Sequence, residues 1–374
     1  MSQDNVGLGG ILQKDRLCLI LFGLLRSELW GYKFCMEVSQ QEMEEVMQLA
    51  KEQTVFGLAF TALISADIPM EKRWKLQQIG RLNKIRTKNE IVNREMLGFF
   101  AQMDANQMDY VVMKGQTIAT LYPHPEVRTS GDVDFLVKED YEEIRRKFES
   151  CLGIVLSPKS QYIKEISFRQ NGIVYELHTF LITFGSSRNA KYWDSLIDRS
   201  WNEKCFVNVQ GAKVRVLPTT LYAVYVFLHL FFHFLREGVG FRQFCDWAVM
   251  LCHYSGEIDK DMVVKILSDL GMQKAYRAFG SVVVYAIGLP QDKFLFSLDD
   301  KDKKWGEKII EDVMKGGNFG KKNHNAKHVG LKFKMETAFV TVRNIIKYYP
   351  LAPRDIRNFL SRLIIRNIAL VLKK

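Results

Sequence analysis

Residues 111–137 read VVMKGQTIATLYPHPEVRTSGDVDFLV, and this stretch decides the fold. An apolar strand is predicted to end at the Lys-Gly-Gln turn of residues 114–116. A helical segment, a loop and a second strand beginning at Asp132 follow. Side chains alternate between the two faces of a strand, so Asp132 and Asp134 are expected to share one face. Two carboxylates placed in this way are able to bind one divalent cation.

A predicted β-hairpin follows this carboxylate pair. Its strands span residues 161–170 and 173–180, on either side of Asn171-Gly172, a dipeptide that favours a type I′ turn. Glu176 and His178 share a face of the second strand. Glu176 is therefore the candidate for the third acidic group that a two-metal site requires. His178 is expected to position substrate, to act as a base or to make a structural hydrogen bond.

Helical patterns flank this α/β unit on both sides. Residues 1–107 predict an N-terminal helical region that includes one long amphipathic helix at 72–103. Residues 218–374 predict a C-terminal helical region with a basic tail. We therefore predict an α+β fold, in which a small mixed-sheet core at residues 108–217 carries the site.

The positive charge of the chain is concentrated near its C-terminus. The whole chain carries +11, and residues 301–374 alone carry 18 Lys or Arg and 6 Asp or Glu, a net charge of +12. This part includes a predicted basic loop at 316–330 and a predicted terminal helix at 354–374. The pattern suits binding of phosphates, nucleic acid or an anionic membrane surface, and a solvated basic face is an equal alternative. Packing onto the helical domain is the more frequent use of a terminal helix of this kind.

The sequence favours a cytoplasmic protein with reduced cysteines. Six cysteines occur without a C-x-x-C pair. The apolar run Leu221–Leu235 is shorter than the roughly 20 residues that span a membrane. His229 and His233 within it are predicted to be core residues or to belong to a helix beside the site. Arg242 and Asp246 are spaced for an ion pair on one helix.

The residues around the carboxylate pair suit a nucleoside triphosphate. Lys114 and Arg128 are expected to neutralise phosphate charge, and helix N–H groups after a strand-to-helix turn are able to bind phosphate. A D-x-D pair alone also occurs on ordinary solvent-facing strands. The strand-to-helix turn before the pair and Glu176 after it strengthen the prediction of a metal-binding site. The predicted nucleotide-binding residues are Lys114, Gly115, Gln116, Arg128, Ser130, Gly131 and His178.

These motifs resemble those of a known family. VVMKG, LYPHPEVRTSGDVDFLV and YELHTF are similar to the bacterial uncharacterised nucleotidyltransferase family of the DNA polymerase β-like superfamily, which is associated with polysaccharide biosynthesis. HLFFHF and FRQFCDWAVML also resemble its helical part. The resemblance implies that Asp132, Asp134 and Glu176 are catalytic metal ligands for Mg²⁺ or Mn²⁺, and that Gly115 marks the phosphate turn. Two departures are Gln116 after that glycine and Glu in place of Asp at position 176.

The leading hypothesis is a nucleotidyltransferase that transfers a nucleoside monophosphate from an NTP to a hydroxyl or phosphate acceptor. The changed turn at Gly115-Gln116 motivates a second hypothesis, a nucleotide-binding regulator or scaffold without turnover. The third hypothesis is nucleic-acid binding through residues 301–374.

Overall fold

The computed structural model describes residues 15–157, 165–317 and 331–359. Four helices come first, and six strands and nine further helices follow within these ranges. The helices are α1 (Arg16–Trp30), α2 (Gln40–Glu52), α3 (Phe56–Ser65), α4 (Lys72–Ala105), α5 (Gln116–Ala119), α6 (Tyr141–Leu152), α7 (Ser187–Ser200), α8 (Thr219–Arg236), α9 (Phe241–His253), α10 (Lys260–Leu270), α11 (Gln273–Val282), α12 (Asp300–Gly316) and α13 (Leu331–Tyr348). The strands are β1 (Tyr110–Met113), β2 (Val133–Val137), β3 (Glu165–Gln170), β4 (Ile173–His178), β5 (Cys205–Val209) and β6 (Ala212–Val216).

The central sheet has four strands in the order β1-β2-β4-β3. β1 and β2 are antiparallel, β2 and β4 are parallel, and β4 and β3 form the antiparallel hairpin. β5 and β6 form a separate two-stranded sheet. The predicted α+β class with a small mixed sheet between helical regions is therefore confirmed.

The two faces of the central sheet pack against different cores. Phe135 of β2 and Tyr175 of β4 join an aromatic core with Phe99 of α4, whose ring centroid lies 5.6 Å from that of Phe135 and 4.6 Å from that of Tyr175. Leu136, one residue out of phase, joins the larger core built around α8. Asp134 shares the face of Leu136, because side chains alternate along a strand. The carboxylate is thus on the α8 side of the sheet.

Tight turns set the register of the strands. Asn171 and Gly172 have φ of 50° and 80°, and Gln210 and Gly211 have φ of 50° and 89°. Positive φ at both central residues is what a type I′ turn requires. The predicted hairpin turn is confirmed, and the β5–β6 hairpin turns in the same way.

Helix α8 is the core helix of the C-terminal half. By length and composition alone it could cross a membrane, and 72% of its residues are buried inside the protein. Tyr225, Phe227 and Phe231 are among its fully buried side chains. Burial against other protein elements accounts for its apolar character.

Several predicted bounds differ from those observed. The long helix at 72–103 is confirmed and extends to Ala105. β2 begins at Val133 and not at Asp132, and β4 ends at His178 and not at residue 180. Most of the predicted basic loop at 316–330 and the helix beyond residue 359 lie outside the described residues. The division at 107 and 217 stays a prediction.

The aromatic core offers a direct test of what holds the sheet in place. Phe99→Ala should lower the free energy of unfolding by about 3–5 kcal/mol, because it leaves a cavity between α4 and the sheet. Leu76→Ala on the same helix is the matched control, since Leu76 is 68% exposed. It should change stability by about 0.5 kcal/mol or less. Urea titration measures both values, and equal losses would contradict this role for the core.

Candidate metal and nucleotide site

The centre of the site is the buried carboxylate of Asp134, which is 4% exposed. Its Oδ1 accepts a hydrogen bond from Lys114 Nζ at 2.9 Å and lies 3.0 Å from His178 Nε2. Burial alone would raise the pKa of Asp134, but the Lys114 ammonium and the His178 hydrogen bond outweigh it and hold the pKa well below its usual range. Asp134 is therefore ionised at neutral pH.

Glu176 lies beside Asp134 on the neighbouring strand. The register of the parallel pair places the two residues opposite each other, and Glu176 Oε2 is 3.8 Å from His178 Nε2. Burial, and then the negative charges of Asp134 and Glu165, raise the pKa of Glu176 to about 8. Without a cation the cluster thus holds a proton on Glu176 near neutral pH.

Asp132 lies at the edge of the cluster. It immediately precedes β2 and is exposed. Its pKa is raised first by partial burial and next by the charge of Asp134, while Lys114, Lys88 and Arg242 act in the opposite direction. Asp132 therefore lies within the electrostatic reach of three cations at the edge of the cluster.

The side chains present fit a divalent cation. One ligand atom each from Asp134, Glu176 and His178 lies within 4.8 Å of the others. Carboxylate oxygens and an imidazole nitrogen are ordinary metal ligands. The hydroxyl of Tyr225 is buried beside them without a hydrogen-bond partner among the described residues. Asp132, predicted to be a ligand together with Asp134 and Glu176, is not one of these three residues, and its role as a ligand stays a prediction.

The predicted phosphate turn is held by its neighbours. Lys114 and Gly115 have φ of 47° and 61°, the region that favours glycine. The backbone N–H of Lys114 donates to the Tyr222 hydroxyl at 2.8 Å. Gln116 is buried, and its amide donates to Asn93 of α4. The helix that follows is a single turn, so the turn is fixed chiefly by contacts with α8 and α4.

Arg128 makes a buried ion pair instead of lining an open site. Its Nε and Nη2 donate to the two oxygens of Asp246 at 2.6 and 2.7 Å, and the Tyr122 hydroxyl donates to the same carboxylate. Arg242 donates to the carbonyl of Thr129. The predicted Arg242–Asp246 ion pair is therefore wrong, because Arg128 takes its place. A phosphate contact of Arg128 stays a prediction.

The loop before β2 contributes two more of the predicted residues. Ser130 is buried, and its hydroxyl has no hydrogen-bond partner in the described part of the chain. Gly131 is exposed, and a Cβ placed there would lie 3.6 Å from Arg242 Nη1. Arg242 thus packs directly against the loop that leads into Asp132.

Sequence reasoning missed most of the α8 contribution. Lys114 Nζ donates to His229 Nε2 at 2.8 Å, so His229 lies beside the site as a lining residue. Tyr222, Tyr225 and His229 recur at intervals of three and four, which places them on one helix face. These residues carry polar groups within an otherwise apolar run, and that pattern was the signal in the sequence that this face of α8 lies beside the site. Lys88 of α4 and Glu165 of β3 carried no comparable signal.

A cavity of about 750 Å³ lies away from this cluster, between α7, α8 and α10. Leu196, Thr220 and Met262 are among the residues that line it. None of the cluster residues lines this cavity. Within the cluster, the Lys114 ammonium lies 2.9 Å from Oδ1 of Asp134, and the side chains of Lys114 and Glu176 are partly exposed.

The family described as "Uncharacterised nucleotidyltransferase" matches residues 39–284, more than half of the chain. The chain belongs to this family. One similar solved structure is an antigenic nucleotidyltransferase-like protein from Paracoccidioides brasiliensis, with 15% identity and a TM-score of 0.29 over 55% of this chain and 93% of that chain. No curated protein matches the sequence.

The buried Arg128–Asp246 pair generates a stability prediction. Asp246→Asn should lower the free energy of unfolding at neutral pH by about 3–5 kcal/mol, because it leaves the Arg128 charge buried without its partner. Burial opposes ionisation of Asp246, but Arg128 outweighs it and lowers the pKa in the folded protein. The stabilisation is thus present above the unfolded pKa and is lost as the pH falls through the folded pKa. The difference between the two proteins should shrink below about pH 4.

Asp292→Asn is the control for this comparison. Asp292 forms a surface ion pair with Lys293, with an N–O distance of 3.8 Å and an Asp292 side chain that is 74% exposed. Its loss should cost about 0–1 kcal/mol. Urea titrations over a range of pH measure both variants. Equal effects of the two substitutions would show that the buried pair has no special role.

Proposed function

We propose that the protein is a nucleotidyltransferase that uses Mg²⁺ or Mn²⁺ to transfer a nucleoside monophosphate from an NTP to an acceptor. The observation that carries the proposal is the cluster of Asp134, Glu176 and His178 beside Lys114 on a glycine turn. Membership of a nucleotidyltransferase family supports it. The acceptor is a hydroxyl or a phosphate, and a role in polysaccharide biosynthesis belongs to the same proposal.

In this reaction an acceptor oxygen attacks the α-phosphorus of the NTP. A new P–O bond forms, the bond between the α-phosphorus and the oxygen bridging to the β-phosphate breaks, and pyrophosphate leaves. A carboxylate of the site takes the proton of an acceptor hydroxyl. A bound divalent cation stabilises charge on the phosphate oxygens. Asp134 and Glu176 would hold it, and the exposed Asp132 is open to a cation that enters with the nucleotide.

Three basic side chains of the protein are available to neutralise the charge of the triphosphate. Lys114, Lys88 and Arg242 act electrostatically on Asp132 from three different elements. In the sequence, the turn at Gly115 and the loop at Ser130 lie between Lys88 and Arg242. We assign these residues to triphosphate binding, because positive charge fixed beside a reacting phosphate lowers the energy of the transition state.

A second candidate is a nucleotide-binding regulator without turnover. The observation in its favour is that the Lys114 ammonium already neutralises Asp134. Nucleotide binding without pyrophosphate release across a broad acceptor panel would support this candidate over the enzyme.

Location and further partners are part of the proposal. All six cysteines are free, and a reducing compartment such as the cytoplasm suits them. The basic residues of 301–374 would provide a surface for nucleic acid or an anionic membrane. Nucleic-acid binding of this kind should weaken steeply with salt.

Asp134→Asn tests the proposed chemistry. The variant should transfer the labelled NMP from NTPs labelled at the α-phosphate about 100-fold more slowly or worse, because it loses the charged oxygen that would hold the cation. Incubation with each common NTP, Mg²⁺ or Mn²⁺ and a panel of sugars and phosphates measures the rate. Labelled products are separated by thin-layer chromatography.

Asp140→Asn is the matched control for this assay. Asp140 lies beyond the same strand, is exposed and caps α6 by accepting from Glu142 N–H. Asparagine caps a helix as well as aspartate does, so activity should be unchanged. The proposal fails if the wild-type protein neither binds an NTP nor releases pyrophosphate.

Lys114→Gln separates the two roles given to this lysine. Without nucleotide, the variant should bind Mn²⁺ about tenfold more tightly, because an ammonium no longer occupies Asp134. It should also bind NTP less tightly, since a phosphate partner is lost. Isothermal titration measures both affinities. Lys138→Gln is the control at the other end of β2, and similar shifts in both variants would contradict this assignment.

A further inference from the structure

The cluster has the spacing of a site in which His178 is itself a ligand. Two donors that each lie about 2.1 Å from one ion are separated by about 3.0 Å at a right angle and by about 3.8 Å at a wide angle. His178 Nε2 lies 3.0 Å from Asp134 Oδ1 and 3.8 Å from Glu176 Oε2. All three ligand atoms lie within 4.8 Å of one another, so one ion is able to contact them after small movements of the side chains.

The other ring nitrogen of His178 faces a second carboxylate. Glu165 of β3 is the direct cross-strand neighbour of His178, and its Oε2 lies 3.7 Å from His178 Nδ1. At 3.7 Å this is an electrostatic contact and not a hydrogen bond. A small side-chain movement would let the Nδ1–H donate to Glu165, the arrangement that leaves Nε2 free to bind a metal.

A buried hydroxyl completes the surroundings of the cluster. Tyr225 of α8 is fully buried, and its hydroxyl has no hydrogen-bond partner among the described residues. The charges of Asp134, Glu165 and Glu176 all act on it, which places it on the cluster side of α8. A buried hydroxyl without a partner is costly. A metal ion or its bound water would supply the missing partner.

We propose that Asp134, Glu176 and His178 form a carboxylate–imidazole metal centre that selects Mn²⁺ over Mg²⁺. Mg²⁺ is a hard cation that prefers oxygen ligands, whereas first-row transition ions accept imidazole nitrogen readily. The choice of Mn²⁺ among these ions rests on the proposed function, because Mn²⁺ replaces Mg²⁺ at carboxylate sites for phosphates. The alternative role of His178 is to donate a hydrogen bond that orients Asp134.

His178→Gln distinguishes the two roles. The glutamine amide keeps a hydrogen-bond donor but is a poor metal ligand. Nucleotide-free wild-type protein should bind Mn²⁺ about tenfold or more tightly than Mg²⁺, and the variant should lose this preference. Titration calorimetry with each metal alone gives the affinities. Electron spin-echo measurements on bound Mn²⁺ should show coupling to an imidazole nitrogen that is absent in the variant.

Two further variants sharpen the experiment. His253→Gln changes an exposed histidine at the end of α9 and should alter neither affinity nor spectrum. Repeating the titrations in a Lys114→Gln background removes the ammonium that competes for Asp134. Equal Mn²⁺ and Mg²⁺ affinities there, or Mn²⁺ without nitrogen coupling, would overturn the inference. Because no nucleotide or turnover is involved, these results are independent of whether NMP transfer occurs.

Discussion

A carboxylate buried on one face of a sheet is the constraint on which the rest of the site depends. Asp134 is 4% exposed, and an isolated buried charge is too costly to keep. Lys114 supplies the counter-charge and His178 a second contact. The backbone of Lys114 turns with positive φ, Tyr222 of α8 accepts from its N–H, and His229 of α8 contacts its ammonium. The glycine turn, the sheet and α8 are thus one unit.

The opposite face of the sheet supplies rigidity. Phe99 of α4 contacts Phe135, Phe148, Phe168 and Tyr175, so β2, β4 and the elements beside them share one aromatic core. That packing fixes the register in which Glu176 lies opposite Asp134. A site on rigid strands keeps its donor atoms at fixed distances, which is the geometry that metal binding and catalysis need.

Sequence reasoning succeeded where the information was local. The alternation of side chains along β4 predicted that Glu176 and His178 share one face. Asn171-Gly172 predicted the turn that joins β3 to β4. The predicted start of β2 at Asp132 was one residue too early, because nothing local shows whether a strand begins before or after an aspartate. Partners distant in sequence were also missed: Lys114 and His229 are 115 residues apart, and Arg128 and Asp246 are 118 apart. Such pairs depend on tertiary packing, which periodicity alone does not encode.

The position of Lys114 also bears on the order of binding under the proposed function. A divalent cation bound by Asp134 would lie beside the Lys114 ammonium, which is 2.9 Å from Oδ1 of Asp134, and two positive charges so close together repel each other. A metal ion that arrives alone must therefore push aside a partly buried ammonium, which then keeps His229 as a neighbour and gains no negative charge in exchange. A metal ion that arrives with an NTP brings phosphate oxygens for the displaced lysine. The second route keeps the buried charges paired throughout, so it favours joint entry of metal and nucleotide over entry of the metal first.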